Sequence, residues 1–237
     1  CAVDPQKALA FNYDKSKALM DAAVSMEVSR FIYLSTIHTY SPALEGAITE
    51  DTPTTNEHPY PSSKLAAEKE LKILHNEKKI EGMTLRLSNS FGAPIDKSAD
   101  CWMLLINDLC KQAVEKNKLI LRSPKHVIRN YIPMKNTCEG IEHLINMPAE
   151  LIQDGLFNLG SDYSLTIEQV VTKVVDSYQQ LFDQPLLTVF NDDSAPEKTA
   201  SLNYNIDKIK NTQYTPATTE DFTKEIQNLL TFCMKSF

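Results

Sequence analysis

The sequence predicts an α/β protein in which part of a doubly wound parallel sheet precedes a smaller, mixed α/β lobe. Short apolar segments at residues 31–36 and 83–88 alternate with longer segments of helical periodicity. Such alternation is typical of a parallel sheet that is covered by helices on both faces. Beyond Gly92 the pattern changes: helices are expected around 102–114, 135–144, 167–181 and 221–234, with brief strands at 127–132 and 157–159.

Each element of the first part has its own signal. Apolar residues recur at helical spacing from Pro5 to about Val28 and predict one long helix. Residues 31–36 show no alternation, as expected for a strand that is buried on both faces. A stretch rich in Pro, Thr, Glu and Asn then predicts a surface loop as far as Pro59. Pro61 suits the first turn of the next helix, which continues to Leu74.

Composition excludes several classes of partner. The 24 basic and 31 acidic side chains give a formal charge of −7, and no basic patch suggests a nucleic-acid partner. The longest apolar runs are too short to cross a bilayer, so we expect no membrane contact and a cytoplasmic protein. The five cysteines form no C-x-x-C motif, and the five histidines lack metal-ligand spacing. We therefore expect no metal site.

A Tyr-x-x-x-Lys pattern occurs three times, at Tyr60/Lys64, Tyr13/Lys17 and Tyr204/Lys208. On a helix this spacing directs both side chains to one face. The Tyr60 copy follows the predicted strand that ends in Ser35-Thr36. Parallel sheets bind their ligands beyond the carboxyl ends of the strands. We therefore place the chemistry at Tyr60, and we interpret the other two tyrosines as packing or solvent-facing residues.

The chemistry expected at Tyr60 is proton transfer. A phenol with a pKa of about 10 is a weak base at neutral pH, and a nearby ammonium favours the phenolate. We expect Lys64, helped by the positive charge of a bound ligand, to lower the pKa of Tyr60 by about two to three units. The hydroxyl groups at the end of the preceding strand supply a second group that can handle a proton, with Thr36 at its last position.

Five ordered segments together resemble the extended short-chain dehydrogenases/reductases, also called the NAD-dependent epimerase/dehydratase family. The resemblance covers essentially the whole chain, and Asn12 matches a further family position in the first helix. An ordered set is far more specific than any single motif. The segments are 31–36 (F-I-Y-L-S-T), 59–64 (P-Y-P-S-S-K), 85–94 (L-R-L-S-N-S-F-G-A-P), 129–133 (R-N-Y-I-P) and 157–160 (F-N-L-G).

The resemblance implies roles for individual residues. The implied catalytic residues are Thr36, Tyr60 and Lys64; the cofactor-binding residues are Asn12, Ser35, Tyr60, Lys64 and Ser88; and the substrate-binding residues are Thr36, Asn89 and Arg129.

Plainer interpretations of three of these residues remain open at this point. Asn89 could be a turn-forming residue, and Arg129 could form a surface ion pair. Asn12 could be a helix residue that is satisfied by water. Ser35 and Ser88 are expected to line the cofactor through their backbone more than through their side chains.

The implied fold is a partial Rossmann-type sheet. Residues 1–95 would form the C-terminal part of a dinucleotide-binding domain, and residues 96–237 mainly a substrate-binding lobe, with 127–160 returning to the sheet. The chain has six glycines and none is arranged as G-x-x-G-x-x-G, the turn that holds the pyrophosphate. We therefore expect the first strands, roughly a third of a typical cofactor domain, to belong to a longer full-length protein that forms a homodimer.

The function implied is that of a nucleotide-sugar epimerase in polysaccharide biosynthesis. The cofactor would be NAD, with NADP not excluded. Ile37 and His38 follow Thr36 where dehydratases of the family carry Asp-Glu, which disfavours loss of water. A reductase of nucleotide keto sugars is an alternative that would use the same groups, and a non-catalytic fragment that retains the fold is another. The sequence leaves open which nucleotide sugar is used.

Overall fold

A computed structural model describes residues 4–121, 123–190 and 201–237. No helix in these ranges is both long and apolar enough to cross a membrane. The α-helices are α1 (Pro5–Leu9), α2 (Lys15–Ser25), α3 (Pro59–Asn76), α4 (Leu105–Lys116), α5 (Met134–Asn146), α6 (Ile167–Phe182), α7 (Asp207–Lys210) and α8 (Thr219–Ser236). The strands are β1 (Arg30–Thr36), β2 (Gly46–Ile48), β3 (Glu81–Leu87), β4 (Asn89–Phe91), β5 (Lys118–Leu121), β6 (Ile128–Pro133), β7 (Leu156–Leu159), β8 (Ser164–Thr166), β9 (Leu187–Phe190) and β10 (Leu202–Tyr204).

The chain divides into two compact units, and the predicted α/β class is confirmed. The first unit comprises Cys1–Ser88, Cys138–Gly160 and Tyr204–Thr215. The second comprises Asn89–Thr137, Ser161–Asn203 and Pro216–Phe237. The assignment of residues 1–95 to cofactor binding and of 96–237 to substrate binding stays a prediction.

The first unit is built on a parallel three-stranded sheet in the order β1-β3-β7. The two strands predicted at 31–36 and 83–88 are thus neighbours, and Thr36 pairs with Leu87 at their carboxyl ends. β7 enters the sheet through Gly155, which has a φ of +73°. A Cβ atom there would lie 2.3 Å from the Gly82 carbonyl oxygen, so only glycine fits this approach.

The long helix predicted over residues 5–28 is interrupted. Asp4 caps α1 by accepting hydrogen bonds from the backbone of Gln6 and Lys7, and Pro5 occupies the first turn. A π-helical turn at Ala10–Asp14 then separates α1 from α2. Such turns accommodate an extra residue in the helical repeat and often lie at functional sites. The apolar periodicity predicted the extent of the helical segment but not this local widening.

The second unit has a continuous apolar core between its helices and short strands. β5 pairs with β9, and β4-β6-β8 form a small sheet. α6 and α8 each begin with a capping box, at Thr166 and Thr218. The predicted helices and the strand at 127–132 are found close to their expected positions, whereas β5, β8 and β9 were not predicted because each has only three or four residues. The core includes Phe91, Leu109, Tyr131, Val174, Phe222 and Leu230.

Candidate active site

The loop between β1 and α3 brings Tyr60 to the carboxyl end of β1. Its two ends are held together, since the Thr55 N–H donates to the Tyr40 carbonyl oxygen (2.7 Å) and Asn56 Nδ2 to that of His38 (2.8 Å). α3 then begins at Pro59, and the His58 ring accepts a hydrogen bond from the Tyr60 N–H. The half-buried Tyr60 phenol consequently lies close enough to the Thr36 side chain for Thr36 to lower the pKa of the phenol.

Lys64 lies one helical turn after Tyr60 and faces β1. Its Nζ donates to the Leu34 carbonyl oxygen (3.1 Å) and lies 5.0 Å from the centroid of the Tyr33 ring. Phenol, hydroxyl and ammonium are therefore all placed at the end of β1. This is the arrangement needed to move a proton between a substrate oxygen and the protein.

The protein's own groups do not lower the Tyr60 pKa, and the predicted lowering, which also draws on the positive charge of a bound ligand, stays a prediction. Burial raises the pKa of Tyr60, and the Thr36 contact only partly opposes this. Burial also lowers the pKa of Lys64, against the charge of Glu68. The physical reason is that both groups lose water while the ammonium is bonded to a backbone carbonyl rather than to the phenol. A lower phenol pKa would require additional positive charge at the end of β1.

Asn12 reaches this helix from the π-helical turn. Its Nδ2 donates to Ser63 Oγ (2.9 Å), and Ser63 Oγ donates to the Tyr60 carbonyl oxygen (2.9 Å). Asn12 is buried, so the interpretation of a residue satisfied by water is wrong. Ser63 was not singled out from the sequence, although it occupies the Ser/Thr position before the lysine in the matched motif.

The two strand-end serines behave differently. The Ser35 hydroxyl donates to Glu68 Oε1, so its hydrogen is not available to a ligand. The Ser88 hydroxyl is buried without a hydrogen-bond partner in the described structure, and its N–H donates to the Leu159 carbonyl oxygen (2.9 Å). A buried hydroxyl without a partner costs about 1–3 kcal/mol. The end of β3 therefore suits a polar ligand group, such as a nicotinamide cofactor offers.

Asn89 and Arg129 belong to the second unit. Asn89 Nδ2 donates to the Asn130 carbonyl oxygen (2.8 Å), where it ties β4 to β6. Arg129 lies on β6, and its charge opposes the burial that raises the pKa of Tyr131 to about 12. The roles of Asn89 and Arg129 in substrate binding stay predictions.

The sequence reasoning missed a buried ion pair beneath Lys64. Glu68 lies one further turn along α3, so Tyr60, Lys64 and Glu68 recur at four-residue intervals. Arg86 Nη2 on β3 binds Glu68 Oε2 at 2.7 Å, and both side chains are only 6% exposed. Two features of the sequence could have indicated this ion pair: Glu68 follows Lys64 by four residues, and Leu85-Arg86 begins the matched segment 85–94. In the described ranges, no cluster of three or more His, Cys, Asp or Glu side chains could hold a metal ion.

A sequence profile described as the NAD dependent epimerase/dehydratase family matches residues 1–160. The chain belongs to this family. It is 22% identical over 173 residues to the low-salt glycan biosynthesis protein Agl12 of Haloferax volcanii. That alignment covers 73% of this chain and 53% of Agl12, so the chain spans about half the length of this curated relative.

Solved structures share the fold. A UDP-N-acetylglucosamine 4-epimerase from Methanobrevibacter ruminantium, in complex with UDP-N-acetylmuramic acid, superposes with a TM-score of 0.82. Its identity is 17%, over 100% of this chain and 73% of that chain. RMD from Pseudomonas aeruginosa, complexed with NADPH, gives a TM-score of 0.79 at 20% identity, over 100% of this chain and 77% of that chain.

Proposed function

We propose that the protein is an NAD(P)-dependent nucleotide-sugar epimerase that transfers hydride at a sugar hydroxyl carbon, with Tyr60 as the base. The observation that carries the proposal is the placement of the Tyr60 phenol within reach of the Thr36 hydroxyl, with Lys64 one turn further along α3. Membership of a family described as NAD dependent supports it.

In this proposal Tyr60 acts as a phenolate and takes the proton of the sugar hydroxyl. Thr36 hydrogen-bonds the same oxygen and holds it against the phenol. The bound nicotinamide supplies the hydride acceptor and, for the return step, the hydride donor. Tyr60 returns its proton to the oxygen once the sugar carbon has been presented on its other face, which gives the epimer. Lys64, together with the positive charge of a bound nicotinamide ring, would supply the positive charge that the phenolate requires.

Two sets of residues would hold the reactants. The Ser88 hydroxyl, the Ser35 backbone, Lys64 and Asn12 would face the nicotinamide half of the cofactor. Asn89 and Arg129 would bind the nucleotide sugar, and the guanidinium of Arg129 suits a diphosphate.

A reductase of nucleotide keto sugars is the second candidate. It would use Tyr60 as the proton donor and Thr36 in the same role, with the chemistry run in reverse. The observation that favours it is the NADPH held by the similar P. aeruginosa structure.

The test is product analysis with the protein expressed from its complete reading frame. The protein is incubated with a panel of nucleotide sugars and with NAD or NADPH, and products are followed by NMR and mass spectrometry. We expect inversion at one ring carbon with no change of mass. Stoichiometric consumption of NADPH with a keto sugar would favour the reductase. Efficient loss of water to a deoxy keto sugar would contradict both.

A further inference from the structure

The buried carboxylate of Glu68 is surrounded by three elements. Arg86 on β3 donates to it through Nε (3.1 Å to Oε2) and Nη2 (2.7 Å to Oε2), and Ser35 on β1 donates to Oε1. Ser35 and Arg86 are opposite each other in the β1–β3 register. The carboxylate thus lies over one strand pair, one residue before Thr36.

Arg86 also fixes the segment that follows Thr36. Its guanidinium carbon lies 4.6 Å from the centroid of the Tyr40 ring, and its carbonyl oxygen lies 2.6 Å from the Tyr204 hydroxyl. Arg86 is thus held one register position before the Thr36–Leu87 pair, at the end of β1 where the proton-transfer residues lie.

We infer that Arg86 is a positioning residue that balances the charge of Glu68, so that Lys64 acts on Tyr60 as the dominant unbalanced charge at the end of β1. The inference rests on the proposed function, since it assigns Tyr60 the role of base. Glu68 lies eight residues from Tyr60 on one helix, or about 12 Å at 1.5 Å per residue. At this separation, in a partly buried site, one unbalanced charge shifts a phenol pKa by about half to one unit.

The two single substitutions should shift Tyr60 in opposite directions. Glu68→Gln leaves the positive charge of Arg86 unbalanced, which favours the phenolate and lowers the pKa of Tyr60. Arg86→Met leaves the negative charge of Glu68 unbalanced, which raises the pKa. The double variant has neither charge and should titrate close to the wild type. A purely structural role would instead produce defects in the same direction in both single variants.

The other titratable groups close to α3 are not substituted in these variants. They lie on the elements that pack against α3 or at its start. They are Lys7 on α1; Tyr13 and Asp14 on the π-helical turn; Lys15, Lys17 and Asp21 on α2; Arg30 and Tyr33 on β1; His38 on the turn after β1; His58 before α3; and Glu81 on β3.

The experiment is a titration of Tyr60 that needs no substrate. Protein from the complete reading frame is labelled with difluorotyrosine, whose phenol titrates at lower pH than that of tyrosine, and is followed by ¹⁹F NMR. The Tyr60 resonance is assigned by its loss in Tyr60→Phe. We expect a downward shift for Glu68→Gln, an upward shift for Arg86→Met, and no shift for Arg86→Lys, which keeps the charge.

A matched control lies at the other end of the same strands. Arg30 and Glu81 are opposite each other in the register and form an ion pair at 2.7 Å. They lie five positions from the Ser35–Arg86 pair, or about 17 Å along the strands. Arg30→Met and Glu81→Gln should therefore leave the Tyr60 titration unchanged.

The outcomes separate this inference from the proposed function. Shifts of opposite sign support the inference even if no nucleotide sugar is converted, in which case the proposed function alone fails. Shifts of the same sign in Glu68→Gln and Arg86→Met, or no shift in either, overturn the inference even if the wild type is an active epimerase. If Arg86→Met does not fold, the pKa of Tyr60 in Glu68→Gln is compared with that in the double variant. A lower pKa in Glu68→Gln supports the inference, and equal values overturn it.

Discussion

Tyr60/Lys64 and Tyr204/Lys208 have the same spacing but different surroundings. Tyr60 and Lys64 lie on one helix, α3, and face the end of β1. Tyr204 ends the short strand β10, and Lys208 lies on α7. The Tyr204 hydroxyl is buried within 2.9 Å of Asn158 Oδ1, and burial raises its pKa well above the usual range. A tyrosine already engaged in this way is not available to a substrate.

The copies of the pattern also differ in the group that the lysine ammonium contacts. Lys64 contacts the neutral carbonyl of Leu34, whereas Lys208 binds the Asp154 carboxylate. Lys17, in the third copy of the pattern, lies 3.0 Å from both Asp21 and Glu70. An ammonium that is neutralised by a carboxylate cannot also favour a phenolate. The four-residue spacing thus identifies candidate pairs. Which pair can transfer a proton depends on the helix or strand that carries it and on the charge of the group that the lysine contacts.

The largest effect expected from this comparison is on turnover. Tyr60→Phe removes the base and should lower turnover by about a hundredfold or more. Tyr13→Phe and Tyr204→Phe have the same change at the same spacing and should stay within a few-fold of the wild type. Steady-state kinetics with the nucleotide sugar found in the product panel provides the measurement. Equal losses of turnover in all three variants would show that the position of Tyr60 after a buried strand does not distinguish it from Tyr13 and Tyr204.

The free energy of unfolding should depend more on Tyr204 than on Tyr13, although neither tyrosine should matter much for turnover. Tyr204→Phe removes a buried hydroxyl that contacts the Arg86 carbonyl and Asn158, and should cost about 1–3 kcal/mol in the free energy of unfolding. Tyr13 is only partly buried, so Tyr13→Phe should cost less than about 0.5 kcal/mol. Urea denaturation of both variants tests this. A larger loss of stability in Tyr13→Phe than in Tyr204→Phe would contradict the buried, hydrogen-bonded position of the Tyr204 hydroxyl.

The link from Asn12 to the start of α3 should have a smaller effect. Ser63→Ala leaves the buried Asn12 amide without its acceptor and should destabilise the protein by about 1 kcal/mol. Ser62→Ala is the matched control, because the neighbouring Ser62 hydroxyl makes a single 3.2 Å contact with the Asn56 carbonyl oxygen. The melting temperature of Ser63→Ala should lie below that of Ser62→Ala. The reverse order would show that the contact between Asn12 and Ser63 does not support the start of α3, where Tyr60 lies.

The smallest effect concerns the segment that carries Tyr204. His143 Nε2 lies 2.7 Å from the Thr212 hydroxyl, and burial lowers the pKa of His143 below its usual 6.5. The unfolded chain therefore binds the proton more readily, and stability should fall as pH drops below 6.5. Because the ring is partly exposed, the loss should stay below about 1 kcal/mol.

Unfolding at pH 7.5 and 5.5 measures this pH effect. The difference in stability between the two conditions should be smaller in His143→Gln than in the wild type. An equal difference in both proteins would show that His143 does not sense pH at this contact.

The sequence predicted β1, β3 and the helix that carries Tyr60 because their signals are local: an apolar run, a proline in the first turn and a periodic apolar face. The π-helical turn was missed because residues 10–14 fit the same period as the helices around them. The Glu68–Arg86 pair was missed because charged residues in a sequence are usually solvated, and only the fold brings β3 beneath α3. Tyr204 contacts Arg86 across 118 positions, for which no local pattern exists.

Isotope incorporation from solvent tests the central claim, hydride transfer with Tyr60 as the base, most directly. The epimerisation is run in D₂O, and the product carbon whose configuration has changed is analysed by NMR and mass spectrometry. Hydride transfer keeps the original hydrogen within the active site, so we expect no deuterium at that carbon in the wild type and about a hundredfold less product, or lower, with Tyr60→Phe in the same time. Deuterium at the inverted carbon would mean that a proton, not a hydride, is removed there, and would contradict the proposed mechanism.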